Sequence, residues 1–402
     1  MNGFSEVTVV GAGPCGSFAA LNLAKHGVKV TVFEEHKEIG VPTHCAGHLS
    51  IKNLKRLGLD SLPKGIIENS FKGAVIHAPY NTELTVKFNS PVTCTVNRAL
   101  FDKYIARLAE KAGANYMLNS RVKSLKIKGK TVEGVILQNK QVFSSKIVID
   151  AEGISARLLK QAGLPSNNRM VVKSVQIEVE NVKNVNLDLV EVFLGNNYAP
   201  GFYAWLIPKR DGKAKVGLAV SRGNPENYLQ KLIHKHPKAS EKLGTTKILQ
   251  KSFHSISLSG PISKPYSNGF LVVGDAASQV KPTTGGGLIL GMTCAKIAAK
   301  TAFEALKRNN FSSSFLRKYK QICDENLGLD FSVMLKIRKL LNSLSDRKIE
   351  ETIRFFKRMS LEKTFQKIED IDFQGRSLLK ILWKPRISLA LIYLILTFLS
   401  NP

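Results

Sequence analysis

The sequence predicts an α/β protein in which a parallel sheet is interrupted by an inserted, mostly antiparallel sheet and followed by a helical C-terminal region. Three observations carry this. The chain opens on VTVVGAGPCGSFAALNLAKHGVKVTVFEE, which reads as strand, glycine turn, helix and second strand. A second strand-to-glycine junction, GFLVVGDAASQVKPTTGGGLILGM, lies far downstream. Runs of strand pattern stand between these segments, and from residue 311 onward the pattern turns helical.

Each glycine of the first unit has a task. Gly11 permits the tight turn, Gly13 lets backbone approach a pyrophosphate, and Gly16 allows the helix to pack closely on the strand. The helix N-terminus adds partial positive charge at that point. Glu34 ends the second strand, about 20 residues beyond the first glycine, where a carboxylate accepts ribose hydroxyls. Strand, helix and acid together predict a Rossmann-like dinucleotide site rather than a glycine-rich turn.

The downstream junction separates flavin from nicotinamide. A strand over 270–273 ends at Gly274-Asp275, which resembles the ribityl-binding Gly-Asp element of the flavoprotein class that includes hydroxylases and isoprenoid reductases. The resemblance implies FAD, with Asp275 on its ribityl chain, in a domain of the hydroxylase and glutathione-reductase type; the alternative makes Asp275 a helix N-cap. Pro282, with Thr283, Thr284, Gly285, Gly286 and Gly287, is predicted to start the helix that continues through Leu288, its amides aimed at the flavin pyrimidine edge. In KIVIDAEGISARLLKQAGL a strand over 147–149 precedes Glu152-Gly153, where the class usually has Asp-Gly. Arg98 resembles the arginine that opens a helix beside the flavin, with Asp102 following at helical spacing; the alternative is a surface helix charge. The same resemblance implies Glu35, Cys45, Ala46 and Glu152 among the cofactor contacts.

Two further motifs narrow the class. Pro42-x-x-Cys45-x-Gly47 is similar to the Pro-x-x-Cys-x-Gly motif of geranylgeranyl reductases. Tyr203-Ala-Trp205-Leu-Ile-Pro208, followed by Gly217-Leu-Ala219, resembles that family's Tyr-x-Trp-x-Phe-Pro and Gly-x-Gly, with Ile207 for the phenylalanine and Ala219 for the second glycine. The resemblance runs from the first strand to about residue 360. It implies an FAD-dependent oxidoreductase acting on CH-CH groups, which saturates geranylgeranyl double bonds of archaeal-type ether phospholipids or their precursors. Cys45, Tyr203 and Trp205 would be catalytic, and Tyr203, Trp205, Pro208 and Gly217 would line the substrate.

The chemistry sets its own requirements. An isolated isoprenoid double bond is not electron-poor, so hydride delivery needs an assisting proton, a dry apolar channel and a positioned flavin. Tyr203 and Trp205 alternate onto one strand face, where they either wall that channel or serve as core aromatics. Cys45 either relays the proton or governs closure around substrate, against the alternative of a small buried hydrophobe. His44 and His48 flank it, but two histidines and one thiol are too few for zinc, so no metal is expected. A flavin-dependent monooxygenase or halogenase is the competing reading, since YAWLIP also resembles a halogenase Trp-x-Trp-x-Ile-Pro motif, from which Tyr203 departs; the Cys45 motif favours the reductase. A non-catalytic, flavin-containing membrane-binding protein is the third.

The chain has 402 residues, enough for two or three domains. The expected FAD-binding domain is discontinuous, over 1–70, 95–165 and 265–325; the substrate-binding sheet domain takes 71–94 and 166–264, and the helical region takes 326–402. Lys and Arg number 59 against 31 Asp and Glu, a net charge of +28 that favours anionic surfaces. Without a nucleic-acid-binding signature, the expected anionic partner is membrane headgroups, not nucleic acid, and the family resemblance adds a geranylgeranylated lipid. The apolar tail 387–399, behind Trp383, Lys384 and Arg386, spans about 20 Å as a helix, short of the roughly 30 Å of a bilayer core. It reads as an interfacial anchor or as a cap on the protein's own substrate tunnel. Five cysteines without framework spacing and no signal peptide place the chain in the cytoplasm, peripheral on the inner face of the cell membrane. One dinucleotide fingerprint leaves the electron donor open between ferredoxin, NADPH and a deazaflavin.

Overall fold

In the computed structural model, which describes residues 3–166, 170–367 and 370–382, the chain divides into two units. The first comprises Met1–Thr43, Arg98–Arg169 and Ser257–Phe331. Its frame is an eight-stranded sheet. Gly3–Val10 lies between Val30–Phe33 and Val142–Asp150, parallel to both, and Phe270–Val272 and Asn115–Met117 extend the parallel set on either side. The hairpin Val122–Lys128 and Thr131–Leu137 adds antiparallel strands to Val142–Asp150. The central strands are buried almost continuously, with Val7, Val9, Val30, Val32, Ile147, Val148 and Ile149 inaccessible, as parallel strands covered on both faces must be.

Helix Pro14–Ala24 begins directly after Gly13, with Pro14 preset for the first turn. It packs against helices Arg98–Lys111 and Leu288–Lys307. Small buried residues make the approach possible, among them Gly16, Ala19 and Ala20 on one side and Gly291, Ala295 and Ala298 on the other.

The second unit comprises His44–Asn97, Met170–Ile256 and Ser332–Pro402. Its seven strands run in the order Lys247–Ser257, Val171–Glu180, Ala214–Val220, Ala204–Pro208, Leu189–Phe193, Gly73–His77 and Glu83–Lys87. Leu189–Phe193 and Gly73–His77 pair in parallel, while the pairings of Ala214–Val220 with both neighbours are antiparallel. Period-two alternation divides the sheet's residues. Val175, Ile177, Ala204, Leu206, Val216 and Leu218 join Leu229 and Leu232 of helix Pro225–Lys235 in one core. Trp205, Ile207, Lys215 and Gly217 alternate with them onto the opposite face.

Several boundaries differ from the sequence expectation, and residues 257–264 and 326–331 fall in the first unit. Residues 44–70 fall in the second unit, because His48–Ser50 and Ile67–Phe71 flank Thr93–Val96 in a separate three-stranded sheet. The C-terminal helices form no unit of their own. Glu350 of helix Asp346–Arg358 accepts the Tyr80 and Thr82 amides at 3.0 and 3.1 Å, and Asn53 donates to Asp370 and Asp372 at 2.8 and 2.9 Å. Such buried carboxylates bind this segment to the second unit. Trp383, Lys384, Arg386 and the tail 387–399 lie outside the described residues.

Candidate functional site

Strand register assembles one candidate site within the first unit. Val10 is level with Phe33 and Asp150, and Asp150 is level with Val272, so Gly11, Glu34, Ala151 and Val273 emerge together at the carboxyl edge of the parallel strands. Ligands of open α/β sheets bind at that edge.

The three glycines differ in their surroundings. Gly11 has φ +96°, and a methyl carbon there would stand 2.5 Å from the Ala151 carbonyl oxygen. One at Gly16 would stand 1.9 Å from the Gly11 carbonyl oxygen. Around Gly13 nothing lies within 4 Å, which leaves the space a pyrophosphate needs. Glu34 accepts the Ala12 amide at 2.8 Å and His36 Nδ1 at 2.6 Å, which holds its carboxylate beside the turn. Glu35 pairs with Arg121 at 3.2 Å.

Arg98 grips Asp102 in a bidentate pair, Nε to Oδ1 at 3.0 Å and Nη2 to Oδ2 at 2.9 Å. Burial raises the Asp102 carboxyl against the pull of Arg98. The Cys15 thiol is pushed well up by burial and by the charge of Asp275, so it stays a neutral thiol. Asp275 is the second residue of the short turn Gly274–Ala277, and its Oδ1 would stand 2.9 Å from a methyl carbon at Gly287. These residues fit FAD: an open Gly13, a carboxylate beside Gly287, and four strand ends at one edge.

Two expectations are modified. The long helix starts at Leu288 with Gly287 as its cap, whereas 282–284 form a turn and Gly285 takes φ +71°. Three consecutive glycines are poor helix formers, so helical geometry waits for Leu288. Glu152 turns its carboxylate inward, where Oε1 accepts the Leu158 amide at 2.7 Å and Oε2 faces Arg157 at 3.3 Å. Its backbone nitrogen stands 3.4 Å from a methyl carbon built on Gly11.

The second unit holds Cys45–Gly47 and the Tyr203–Pro208 motif, while Pro42 belongs to the first. Ala46, from the Pro42-x-x-Cys45-x-Gly47 turn, packs with Trp205 on a cluster of Phe71, Val190 and Ile207. The turn and the aromatic strand, more than 150 residues apart in the chain, thus share one apolar patch. Gly47, at φ +72°, donates its amide to Cys45 Sγ at 3.4 Å. His44 stacks on His254 with ring centroids 5.7 Å apart, and His48 Nε2 meets Thr93 Oγ1 at 2.8 Å. Pro208 ends the aromatic strand, its carbonyl accepting from Asn69 Nδ2 at 3.1 Å.

Aromatic residues continue in series. Phe202 stacks on Tyr203 at 4.4 Å, Tyr203 meets Trp205 edge-on at 5.9 Å, and Trp205 Nε1 donates to Gln176 Oε1 at 3.3 Å. Burial pushes the Tyr203 phenol up to about 12, so it stays protonated at neutral pH. Arg338, from helix Ser313–Ser343, lies over the Phe202 ring at 4.8 Å; burial lowers it to about 10, which keeps it charged. Arg338, Gln176 and Lys215 escape the sequence reading. For Lys215 a signal existed, a lone charge in the apolar strand AKVGLAV.

Comparison with known proteins defines the class. Residues 5–326 match the FAD binding domain family, so the first unit's glycines and Asp275 belong to a flavoprotein fold. Digeranylgeranylglycerophospholipid reductase of Methanocaldococcus jannaschii is 33% identical over 356 residues, covering 87% of this chain and 90% of that one. A geranylgeranyl bacteriochlorophyll reductase-like protein of Thermoplasma acidophilum matches with a TM-score of 0.87 at 27% identity, covering 98% of this chain and 100% of that one. The chain belongs to the digeranylgeranylglycerophospholipid reductase family of FAD-dependent oxidoreductases. A myxobacterial chondrochloren halogenase has a TM-score of 0.71 at 20% identity, covering 98% and 97% of the two chains, a likeness of fold alone.

Proposed function

We propose that this chain saturates the geranylgeranyl double bonds of an archaeal-type ether phospholipid or its precursor, with Cys45, Tyr203 and Trp205 acting on the substrate. One observation carries the reading: Ala46, beside Cys45, and Trp205 pack on the same apolar patch. Bound and reduced, FAD supplies the hydride equivalent of each saturation. The accompanying proton has to come from the chain. Cys45 donates it to the alkene from a thiol that solvent then reprotonates, while the phenol of Tyr203 keeps its proton and offers a neutral face. The π faces of Tyr203 and Trp205 favour the tertiary cation character that protonation creates. Gly11, Gly13, Gly16, Glu34, Arg98, Asp275 and Gly287 hold the cofactor.

The surplus of 59 basic over 31 acidic residues supports docking on the anionic inner face of the cell membrane. Among the described residues no helix is long and apolar enough to cross it.

Dithionite-reduced, FAD-loaded enzyme incubated with a geranylgeranylated phospholipid is expected to yield products heavier by about two mass units per saturated bond. Cys45→Ala is expected to lower that turnover by about 10²-fold with FAD content unchanged. Product that appears only with stoichiometric oxygen uptake overturns the reductase reading, and undiminished turnover in Cys45→Ala removes the thiol from the mechanism.

A further inference from the structure

A buried ammonium must give each of its three N–H groups a partner, since every one left bare costs desolvation energy. Lys215 is 6% exposed in a strand whose other residues are all apolar or glycine. Its three partners are Glu68 Oε2 at 2.6 Å, the Ala46 carbonyl at 3.1 Å and the Val96 carbonyl at 3.3 Å.

The charges around it balance. Glu68 also binds Lys209 at 2.8 Å, and Lys209 binds Glu178 at 2.6 Å, so two lysines face two glutamates. Burial acts to raise the Glu68 carboxyl, but the Lys215 charge and the hydrogen bonds from both lysines outweigh it and hold the group below its ordinary value. An ion-pair set of this kind contributes little net stability compared with apolar packing. Its distinctive product is geometric.

Two carbonyls that Lys215 holds lie at informative places. Ala46 follows Cys45 directly, and Val96 stands two residues before Arg98. The Val96 amide donates to the Gly47 carbonyl at 2.9 Å, so the Cys45–Gly47 turn is tied to the strand Thr93–Val96 by backbone on one side and by the shared ammonium on the other. Within the turn, the Gly47 amide points at Cys45 Sγ. Rotating the Ala46 peptide would break the contact to Lys215 and re-aim the thiol.

We propose that Lys215 is a positioning residue for Cys45, fixing the Ala46 peptide and through it the direction of the thiol. This rests on the reading that Cys45 acts on the substrate. A lysine serves because its stem fits the sheet face while its head reaches two carbonyls and one carboxylate; methionine matches the stem and offers no donor.

The test uses FAD-loaded full-length enzyme, with Lys215→Met, Glu68→Gln and the charge-balanced pair K215M/E68Q. Alkylation of Cys45 by iodoacetamide, followed by peptide mapping, reads the turn directly and independently of turnover. It is expected to accelerate about fivefold in K215M and in K215M/E68Q, and to stay within about twofold of the parent in E68Q, which keeps the ammonium on Ala46. Alkene reduction in K215M/E68Q is expected to fall about tenfold in kcat with KM and FAD content close to the parent's. Lys215→Arg, which retains donors, is expected to recover part of the alkylation protection. Should K215M alone fail to fold, the double variant decides, because Glu68 is then neutral. Parental alkylation in a folded K215M/E68Q, or equal acceleration in E68Q, overturns the proposal. Undiminished turnover in Cys45→Ala would instead remove the role of Cys45 and leave the alkylation result to judge the tie alone.

Discussion

The indole of Trp205 lies directly against the backbone of Gly217, its cross-strand partner: a methyl carbon built on Gly217 would stand 2.6 Å from Cζ2 and 2.7 Å from Cε2. The same carbon would sit 2.7 Å from the Val175 carbonyl oxygen, so moving the indole away does not make room for it.

Gly217→Ala therefore strains both the aromatic residue and the sheet. A loss of about 1–3 kcal/mol is expected, with a red shift of Trp205 fluorescence as the ring leaves its seat. The measurement is a denaturant melt and an emission spectrum in a Trp383→Phe background, because these are the chain's two tryptophans. Unchanged emission would show that the ring does not depend on Gly217.

Gly13 and Gly16 belong to one motif and are expected to fail differently. Space around Gly13 is open, so Gly13→Ala should melt close to the parent yet lose FAD, read from the flavin absorbance per protein. Gly16→Ala drives a carbon to 1.9 Å from the Gly11 carbonyl oxygen and should destabilise the fold itself by about 2 kcal/mol or more. Equal melting of the two variants contradicts this division.

A buried polar cluster predicts how stability varies with pH. His77 Nε2 meets Glu191 at 2.7 Å, Lys242 donates to the same carboxylate at 2.6 Å, and His236 packs edge-on against His77 and Phe193. Burial, reinforced by His77 and opposed by Glu191, lowers His236 to about 4 from an ordinary 6.5. As pH falls from about 6.5, the unfolded chain takes up the proton and the folded one does not, so stability drains between those values. Glu191 adds a loss at still lower pH; burial works to raise it, but His77 and Lys242 hold it below its ordinary value. His236 also accepts the Ala239 amide at 3.3 Å as a helix cap, a role asparagine can take over without titrating. His236→Asn should remove about half or more of the fall in melting temperature across this window. A parental slope would locate the dependence elsewhere.

Asn53 joins the C-terminal segment to the second unit through Asp370 and Asp372. Asn53→Asp would set a third carboxylate against those two, and proteolytic cleavage beyond residue 367 is expected to accelerate about tenfold or more. Asn53→Ala removes the bonds without the repulsion and should accelerate it less. An identical digestion pattern in all three proteins would show that the clasp is not what retains the segment.

Much of this was legible in the chain because local chemistry determined it. A tight turn, a close helix packing and an open approach require glycine whatever surrounds them, so Gly11, Gly13 and Gly16 announce a dinucleotide site, and the Cys45 and Tyr203-Ala-Trp205 motifs announce the family. Tertiary structure decided the rest, since it depended on partners distant in sequence. Residues 44–70 joined the second unit through strands that find their neighbour at Thr93–Val96, and the Glu152 carboxylate met the Leu158 amide. Lys215 acquired its place because only the folded sheet brings Ala46, Val96 and Glu68 within reach of one ammonium, and a buried charge goes where its three hydrogen bonds can be made.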